Sequence, residues 1–160
     1  MTFYFVDTSA LAKRYVSETG SEWVRSWIAA EAGHTITLSQ IASVELASVL
    51  ARRVREGHLR PAIAQGLYSS FRHHVSRHYV VTPVTGDLLD QAAMLSFRHR
   101  LRSLDAIQLS SALETQSLAG AAIQFISSDA NLLSVAALEG LKTDNPLDHL
   151  DRGQTHAPSN

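Results

Sequence analysis

The sequence contains no cysteine, so disulfide bonds and thiolate-bound metals are both excluded. Any metal site must therefore use oxygen or imidazole ligands. The sequence also lacks an apolar run approaching the ~20 residues of a membrane-spanning helix. It has no basic, apolar and small-residue series of the kind that forms a secretory signal. These absences predict a soluble, cytoplasmic protein with no membrane partner.

An excess of charge of one sign is missing as well. The chain has 14 Lys and Arg residues against 15 Asp and Glu residues, and its net charge is -1. The whole-molecule field therefore does not indicate nucleic-acid binding. The basic residues are nevertheless concentrated in segments 52–55, 72–78 and 98–102. Each of these clusters is either a solvated helix face or part of a local nucleic-acid surface.

The order of the elements predicts an α/β fold. A chain of 160 residues with 45% hydrophobic content is long enough for a single domain with one substantial core. Short β-branched or apolar segments at 3–6, 35–38, 79–84 and 124–127 alternate with helical patterns, and 141–143 is a candidate edge strand. Strands separated by helices pair in parallel, so we expect a three-layer sandwich: a central parallel sheet of four or five strands with helices on both faces.

Two aspartates follow predicted strands directly. Asp7 comes after the first strand, before a helix that we expect Thr8 or Ser9 to cap, and Asp129 comes shortly after the fourth strand. In open parallel sheets the ligand site lies beyond the carboxyl ends of the strands. Each aspartate therefore either caps the next helix or contributes to a site at this edge.

Two further acids lie in the first turns of predicted helices. Glu45 and Asp105 are each surrounded by small and apolar residues. A carboxylate near a helix N-terminus is stabilised by the helix dipole, so each has an ordinary structural explanation when taken alone. If both helices begin at the sheet edge that carries Asp7 and Asp129, the four acids converge on one pocket.

Four converging carboxylates repel one another and require cations to stay ionised. With no cysteine and no converging histidine, the oxygen ligands favour Mg²⁺, with Mn²⁺ as a substitute, over zinc. Such a site is suited to the hydrolysis of phosphodiester bonds. The acids alone do not decide which phosphodiester is cleaved.

Four segments in this order resemble the PIN-domain nucleases, and most closely the VapC toxins of bacterial toxin–antitoxin pairs. They are VDTSAL at 6–11, SVEL at 43–46, LDAIQL at 104–109 and ISSD at 126–129. The resemblance covers residues 1–147, so it implies a PIN domain there, followed by a C-terminal tail at 148–160 that we expect to be disordered. It implies a Mg²⁺-dependent endoribonuclease with an RNA substrate, homodimerisation, and inhibition by a cognate antitoxin protein.

The resemblance also assigns site residues. It matches Asp7, Glu45, Asp105 and Asp129 to the catalytic, metal-binding acids of the family. Thr8 or Ser9 is expected to hold the first aspartate by hydrogen bonds. Ser127 occupies a position where the family often has threonine, a conservative difference that keeps a supporting hydroxyl.

Several basic residues are candidates for RNA contacts. Arg52 shares a helix face with Glu45, so it either grips a phosphate or is an exposed arginine at the far end of the helix, and we slightly favour the second interpretation. Lys13 and Arg14 follow Asp7 on the next helix and are similar candidates for backbone contacts.

Two other patterns favour structural roles. Trp23 and Trp27 lie one helical turn apart, and such a pair is more often core or subunit interface than a platform for RNA bases. His74 and His78 have the spacing of a zinc pair but no third ligand, so we expect a solvated basic helix face.

Other functions fit less well. A receiver domain needs an acidic pair near the first strand and a later lysine, and another phosphotransfer enzyme needs a DxD motif; neither pattern is present. A PIN fold that is only a scaffold, or a housekeeping RNA-processing nuclease, remains an alternative. Retention of all four acids favours a nuclease.

Overall fold

The computed structural model describes residues 1–149, which form an α/β sandwich. The strands are β1 Phe3–Val6, β2 Thr35–Ser39, β3 Tyr79–Thr82, β4 Gln124–Ile126 and β5 Lys142–Asp144. The helices are α1 Thr8–Tyr15, α2 Ser21–Ile28, α3 Ala42–Arg55, α4 Pro61–Arg77, α5 Gly86–Arg98, α6 Ser103–Ala119 and α7 Ala130–Leu138. Short 3-10 turns lie at Ala30–Ala32 and Pro146–Asp148.

The five strands form one parallel sheet in the order β3-β2-β1-β4-β5. The predicted fold class is confirmed, and the candidate edge strand is the fifth strand of the sheet. Every pairing is parallel because the helices between consecutive strands return the chain to the same end of the sheet.

Both faces of the sheet are covered by apolar side chains. Phe5 and Val6 are neighbours in β1 and both are fully buried, but they belong to different core clusters. Successive side chains of a strand point to opposite faces, so a strand covered on both sides is continuously apolar. Side chains of α1 to α4 lie in the Val6 cluster, and side chains of α5 to α7 lie in the Phe5 cluster.

The strand order changes direction beside β1. From β1 the chain first builds outward through β2 to β3, and it then returns to the other side of β1 with β4. The crevice between β1 and β4 at their carboxyl ends is therefore the switch point, where such sheets bind ligands. Asp7 follows β1 directly, and Asp129 lies three residues after the last residue of β4.

The described residues include the first two positions of the predicted C-terminal tail. The predicted tail begins at residue 148, yet Asp148 closes the last 3-10 turn and the ring of His149 stacks on Trp23 at 3.9 Å. The remainder of the predicted tail, 150–160, lies outside the described residues. Within residues 1–149, no helix is both long and apolar enough to cross a membrane.

Candidate functional site

A cavity of about 860 Å³ lies where β1 and β4 end. Its lining includes five acidic and five basic side chains. The acidic side chains are Asp7, Glu18, Glu45, Asp105 and Asp129, and the basic ones are Lys13, Arg52, Arg53, Arg55 and Arg102. The structure thus brings the four acids of the sequence analysis to one cavity from four separate segments of the chain.

Asp7 is the most buried of these acids, with 6% of its surface exposed. Its Oδ2 accepts hydrogen bonds from Ser9 Oγ (2.6 Å), from the Ser9 backbone N–H (3.3 Å) and from Ser127 Oγ (2.9 Å). Burial raises the pKa of the Asp7 carboxyl above its ordinary value, and the bonds from Ser9 and Ser127 act in the opposite direction. All three of these bonds reach Oδ2, so they hold this oxygen of the carboxylate in place.

Two serine hydroxyls link the segments that follow β1 and β4. Ser127 Oγ donates to Asp7 and accepts from the backbone N–H of Asp129 at 3.1 Å. Ser9 Oγ accepts from the backbone N–H of Ser128 at 2.9 Å. The start of α1 and the loop after β4 are therefore fastened together around Asp7.

Asp129 caps α7 as well as lining the cavity. Its Oδ1 accepts a hydrogen bond from the backbone N–H of Leu132 at 3.0 Å. Asp7 likewise occupies the N-cap position of α1, so our expectation that Thr8 or Ser9 caps this helix was wrong. An aspartate side chain in extended backbone reaches the free N–H groups of the first turn.

Glu45 is held by two side chains from other helices. Its Oε1 accepts hydrogen bonds from Thr8 Oγ1 (2.9 Å) and from Gln108 Nε2 (2.6 Å). Burial raises the pKa of Glu45, these two bonds lower it, and the charges of Asp7 and Asp105 raise it further. The Thr8 hydroxyl therefore supports Glu45, and Ser9 is the residue that holds Asp7.

Asp105 lies in the first turn of α6 and responds to the charges around it. Burial raises its pKa, the negative charges of Asp7 and Asp129 raise it further, and Arg102 lowers it. The acids are thus close enough to repel one another across the cavity. A bound cation would relieve this repulsion and favour the ionised forms.

The donor set fits a hard cation, because the acids around Asp7 offer only carboxylate oxygens. Within residues 1–149, however, no three side chains of His, Cys, Asp or Glu are grouped closely enough to hold a metal ion. A Mg²⁺ ion commonly uses only one or two carboxylates, with water and phosphate oxygens as its other ligands.

The basic side of the cavity is organised by Glu18. Its Oε1 lies 3.0 Å from Lys13 Nζ, and its Oε2 accepts a hydrogen bond from Arg53 Nη2. Lys13 is buried with 4% of its surface exposed, whereas Arg52 is exposed at the rim of the cavity. Arg52 is thus an exposed arginine that also lines the cavity, and its contact with a phosphate stays a prediction.

The sequence profile of the PIN domain matches residues 4–138. The chain belongs to the PIN-domain family. This PIN domain is 30% identical over 146 residues to ribonuclease VapC47 of Mycobacterium tuberculosis (strain CDC 1551 / Oshkosh), covering 89% of this chain and 96% of the relative. That similarity supports a PIN domain of the VapC type.

Solved structures share the fold of this PIN domain at lower sequence identity. VapBC2 from Rickettsia felis, bound to a DNA fragment from its promoter, matches with a TM-score of 0.61 and 12% identity over 90% of this chain and 98% of the other. PAE2754 from Pyrobaculum aerophilum matches with a TM-score of 0.58 and 19% identity over 89% and 83%. FitAcB from Neisseria gonorrhoeae matches with a TM-score of 0.56 and 12% identity over 89% and 97%.

Arg14 is the predicted RNA-binding residue that the structure does not bring to the cavity. Its Nη1 donates to the backbone oxygen of Ile28 (2.9 Å) and to Tyr79 Oη (2.7 Å), and its Nη2 lies 3.3 Å from His74 Nε2. Arg14 and Lys13 are consecutive on α1, so their side chains leave the helix in different directions. Lys13 lines the cavity, while Arg14 joins α1 to β3 and to the end of α2.

The structural roles predicted for the tryptophan pair and for the histidine pair compare differently with the structure. Trp27 is buried and stacks on Tyr4 at 4.4 Å between ring centroids, so the expected core role of this tryptophan is confirmed. Trp23 packs edge-on against Trp27 at 5.4 Å. The expectation of a solvated face is wrong for His74, which is half-buried and whose Nδ1 lies 2.9 Å from Tyr15 Oη.

Sequence reasoning missed four residues of the site. Gln108 was quoted only as part of a motif, although it lies three residues after Asp105 and therefore on the same side of α6. Arg53 and Arg102 belong to the basic clusters at 52–55 and 98–102, and no sequence motif points to Glu18. The contacts of Gln108 with Glu45 and of Glu18 with Arg53 join distant parts of the chain, which no local pattern reveals.

Proposed function

We propose that this PIN domain is a metal-dependent endoribonuclease that acts as the toxin of a toxin–antitoxin pair. The observation that carries the proposal is the convergence of Asp7, Glu45, Asp105 and Asp129, whose charges interact across one cavity. The curated relative named a ribonuclease supports the choice of RNA. A phosphate can approach these four negatively charged acids only if a cation neutralises their charge beside the bond that is hydrolysed.

The four acids would hold Mg²⁺, with Mn²⁺ as a substitute. The cation supplies Lewis acidity and charge neutralisation at the phosphodiester. Ser9 and Ser127 fix the Asp7 carboxylate, and Thr8 and Gln108 fix that of Glu45. The arginines and Lys13 on the other side of the cavity attract the RNA backbone.

Cleavage of a structured, end-labelled RNA by the purified full chain tests this function. Activity is expected in Mg²⁺ or Mn²⁺ and is expected to disappear in EDTA. Asp105→Asn should lower kcat/KM by more than about 100-fold, beyond the cost of losing a supporting contact. Asp87→Asn is the matched control, because Asp87 also lies in the first turn of a helix but is absent from the cavity lining.

Two results would contradict the mechanism: cleavage that persists in EDTA, or full activity in Asp105→Asn. Absence of cleavage in any metal would favour a scaffold role for the fold. For the toxin role, bacterial growth should stop on expression of the wild type and continue with Asp105→Asn. Equal growth with both chains would contradict it.

We also propose a small antitoxin protein as partner, and a homodimer. The structural neighbour VapBC2 supports the first, and the family resemblance supports the second. Co-expression with the neighbouring reading frame should restore growth and co-purify a complex. Light scattering of the purified toxin should give twice the mass of one chain, and a monomeric mass would contradict the dimer.

A further inference from the structure

Three charged side chains form an ion-paired group in the cavity beside the four acids. Glu18 lies between Lys13 and Arg53, with one oxygen paired to each. These residues come from α1, from the segment after it and from α3. Two cations and one carboxylate leave a single net positive charge, which matches the single negative charge of a phosphodiester.

Arg53 is the member of this group that can reach a ligand. Its side chain is 26% exposed, whereas that of Lys13 is 5% exposed. A guanidinium carries five N–H donors, and the bond from Nη2 to Glu18 uses only part of them. The ion pair also fixes the arginine in advance, so less conformational entropy is lost when it binds. Arg52 and Arg55 are more exposed and must be ordered by the ligand.

The backbone positions of Lys13 and Arg53 are displaced along their helices from those of the acids. Arg53 lies eight residues after Glu45 on α3, about 12 Å along the helix axis. Lys13 lies six residues after Asp7, about 9 Å along α1. This separation of the backbone positions favours contact of Arg53 with a phosphate further along the RNA than the one at the acids.

We propose that Arg53, positioned by Glu18 and Lys13, binds an RNA backbone phosphate other than the one that is cleaved. The proposal rests on the proposed ribonuclease function and adds a second phosphate subsite to it. The planar guanidinium can donate two parallel hydrogen bonds to a phosphate. Efficient substrates must then contain at least two phosphodiester groups, as an oligonucleotide does and a dinucleotide with one linkage does not.

The test compares two substrates and two variants. Values of kcat/KM are measured for a single-stranded oligoribonucleotide and for a dinucleotide with one phosphodiester, using the wild type, Arg53→Gln and Arg72→Gln. Arg72 is the matched control, since it is exposed on α4 and absent from the cavity lining. Arg53→Gln should lower kcat/KM on the oligonucleotide about 10-fold, mainly through KM, and leave the dinucleotide unaffected. Arg72→Gln should change neither.

An equal loss on both substrates, together with a lower melting temperature, would show that Arg53 only links α1 to α3 and would overturn the subsite. Unchanged oligonucleotide kinetics would overturn it as well. If the wild type cleaves neither substrate, the ribonuclease function is contradicted instead. Measurements of oligonucleotide binding then test whether the phosphate subsite exists.

Binding is measured in the Asp7→Asn background by fluorescence anisotropy of a labelled oligonucleotide at several salt concentrations. Arg53→Gln should reduce the slope of log K against log salt by about 0.7, the value for one phosphate of a single strand. Arg72→Gln should leave the slope unchanged. An unaltered slope in Arg53→Gln would overturn the subsite.

The positioning role of Glu18 is tested separately with Glu18→Gln. Loss of the ion pair should raise KM for the oligonucleotide and leave that for the dinucleotide unchanged. Tighter oligonucleotide binding in this variant would show that Glu18 competes with the phosphate, and it would overturn the positioning role.

Discussion

Gln108 offers the sharpest test of how the site is held together. It is fully buried on α6 and donates hydrogen bonds to Glu45 Oε1 at 2.6 Å and to Thr8 Oγ1 at 3.1 Å. Gln108→Met keeps the length of the side chain and removes both donors. Glu45 then keeps only the bond from Thr8 at this oxygen, so its carboxylate is less firmly oriented toward the cavity.

The main effect of Gln108→Met is expected on metal affinity. Loss of a contact that orients a metal ligand typically costs 10- to 100-fold in affinity, so half-saturating Mg²⁺ should rise by about that factor. The bond from Gln108 also lowers the pKa of Glu45. Without it that pKa rises further, protonated Glu45 persists to higher pH, and the acidic limb of the activity profile moves to higher pH.

The effect on stability should be small by comparison. A hydrogen bond to a charged group contributes about 1.5–3 kcal/mol, and its loss destabilises the fold. Gln108 Oε1, however, is buried with no hydrogen-bond partner among the described residues, and methionine removes this cost of about 1–3 kcal/mol. The two contributions oppose each other, so the melting temperature in EDTA should change by only a few degrees.

The assay is RNA cleavage as a function of Mg²⁺ concentration, with melting temperatures measured in EDTA. Gln116→Met is the matched control, because Gln116 lies on the same helix and its Oε1 accepts from the Ile123 backbone N–H. This control should leave the Mg²⁺ dependence unchanged. The reasoning is refuted if Gln108→Met and the wild type have the same half-saturating Mg²⁺, or if excess Mg²⁺ does not restore most of the rate.

Three further predictions concern charge and backbone. Because burial raises the pKa of Asp7 in the fold, the metal-free protein should lose stability as the pH rises above about 3.8, the ordinary value; Asp7→Asn should weaken this loss in melting curves recorded in EDTA. Arg14→Ala should lower the melting temperature, because the hydrogen bond to Tyr79 is lost, and it should leave KM for RNA unchanged. A raised KM would indicate instead that Arg14 contacts the RNA. Gly20→Ala should destabilise the fold by about 1–3 kcal/mol in denaturant titrations, because the φ angle of Gly20 is +85° and an added Cβ would lie 2.5 Å from the backbone oxygen of Pro146. A variant as stable as the wild type would contradict this close approach.

The fold could be predicted because its signals are local. Phe3 to Val6 is a short apolar run that ends before Asp7, as expected for a strand buried on both faces. In the segment that follows, the apolar residues have the spacing of a helix. The alternation of such segments leaves few topologies other than a parallel sheet. Placement of Asp7 and Asp129 near one edge follows from that topology alone.

The supporting contacts could not be predicted, because they join residues far apart in the chain. Gln108 and Glu45 are separated by 63 positions, and Glu18 and Arg53 by 35. A helix also presents consecutive residues to different surroundings, so the sequence could not tell which of Lys13 and Arg14 faces the cavity. Only the packing of α1 against its neighbours decides this.

The two strand-end aspartates show that a capping role and a site role are compatible. Asp7 accepts the Ser9 backbone N–H at Oδ2, and Asp129 accepts the Leu132 backbone N–H at Oδ1. Each capping bond uses one oxygen and fixes the side chain at the first turn of its helix. The second oxygen of each carboxylate is not used by the cap and belongs to a side chain that lines the cavity. Capping therefore orients both acids in advance, and this would lower the entropic cost of binding the cation that we propose for this site.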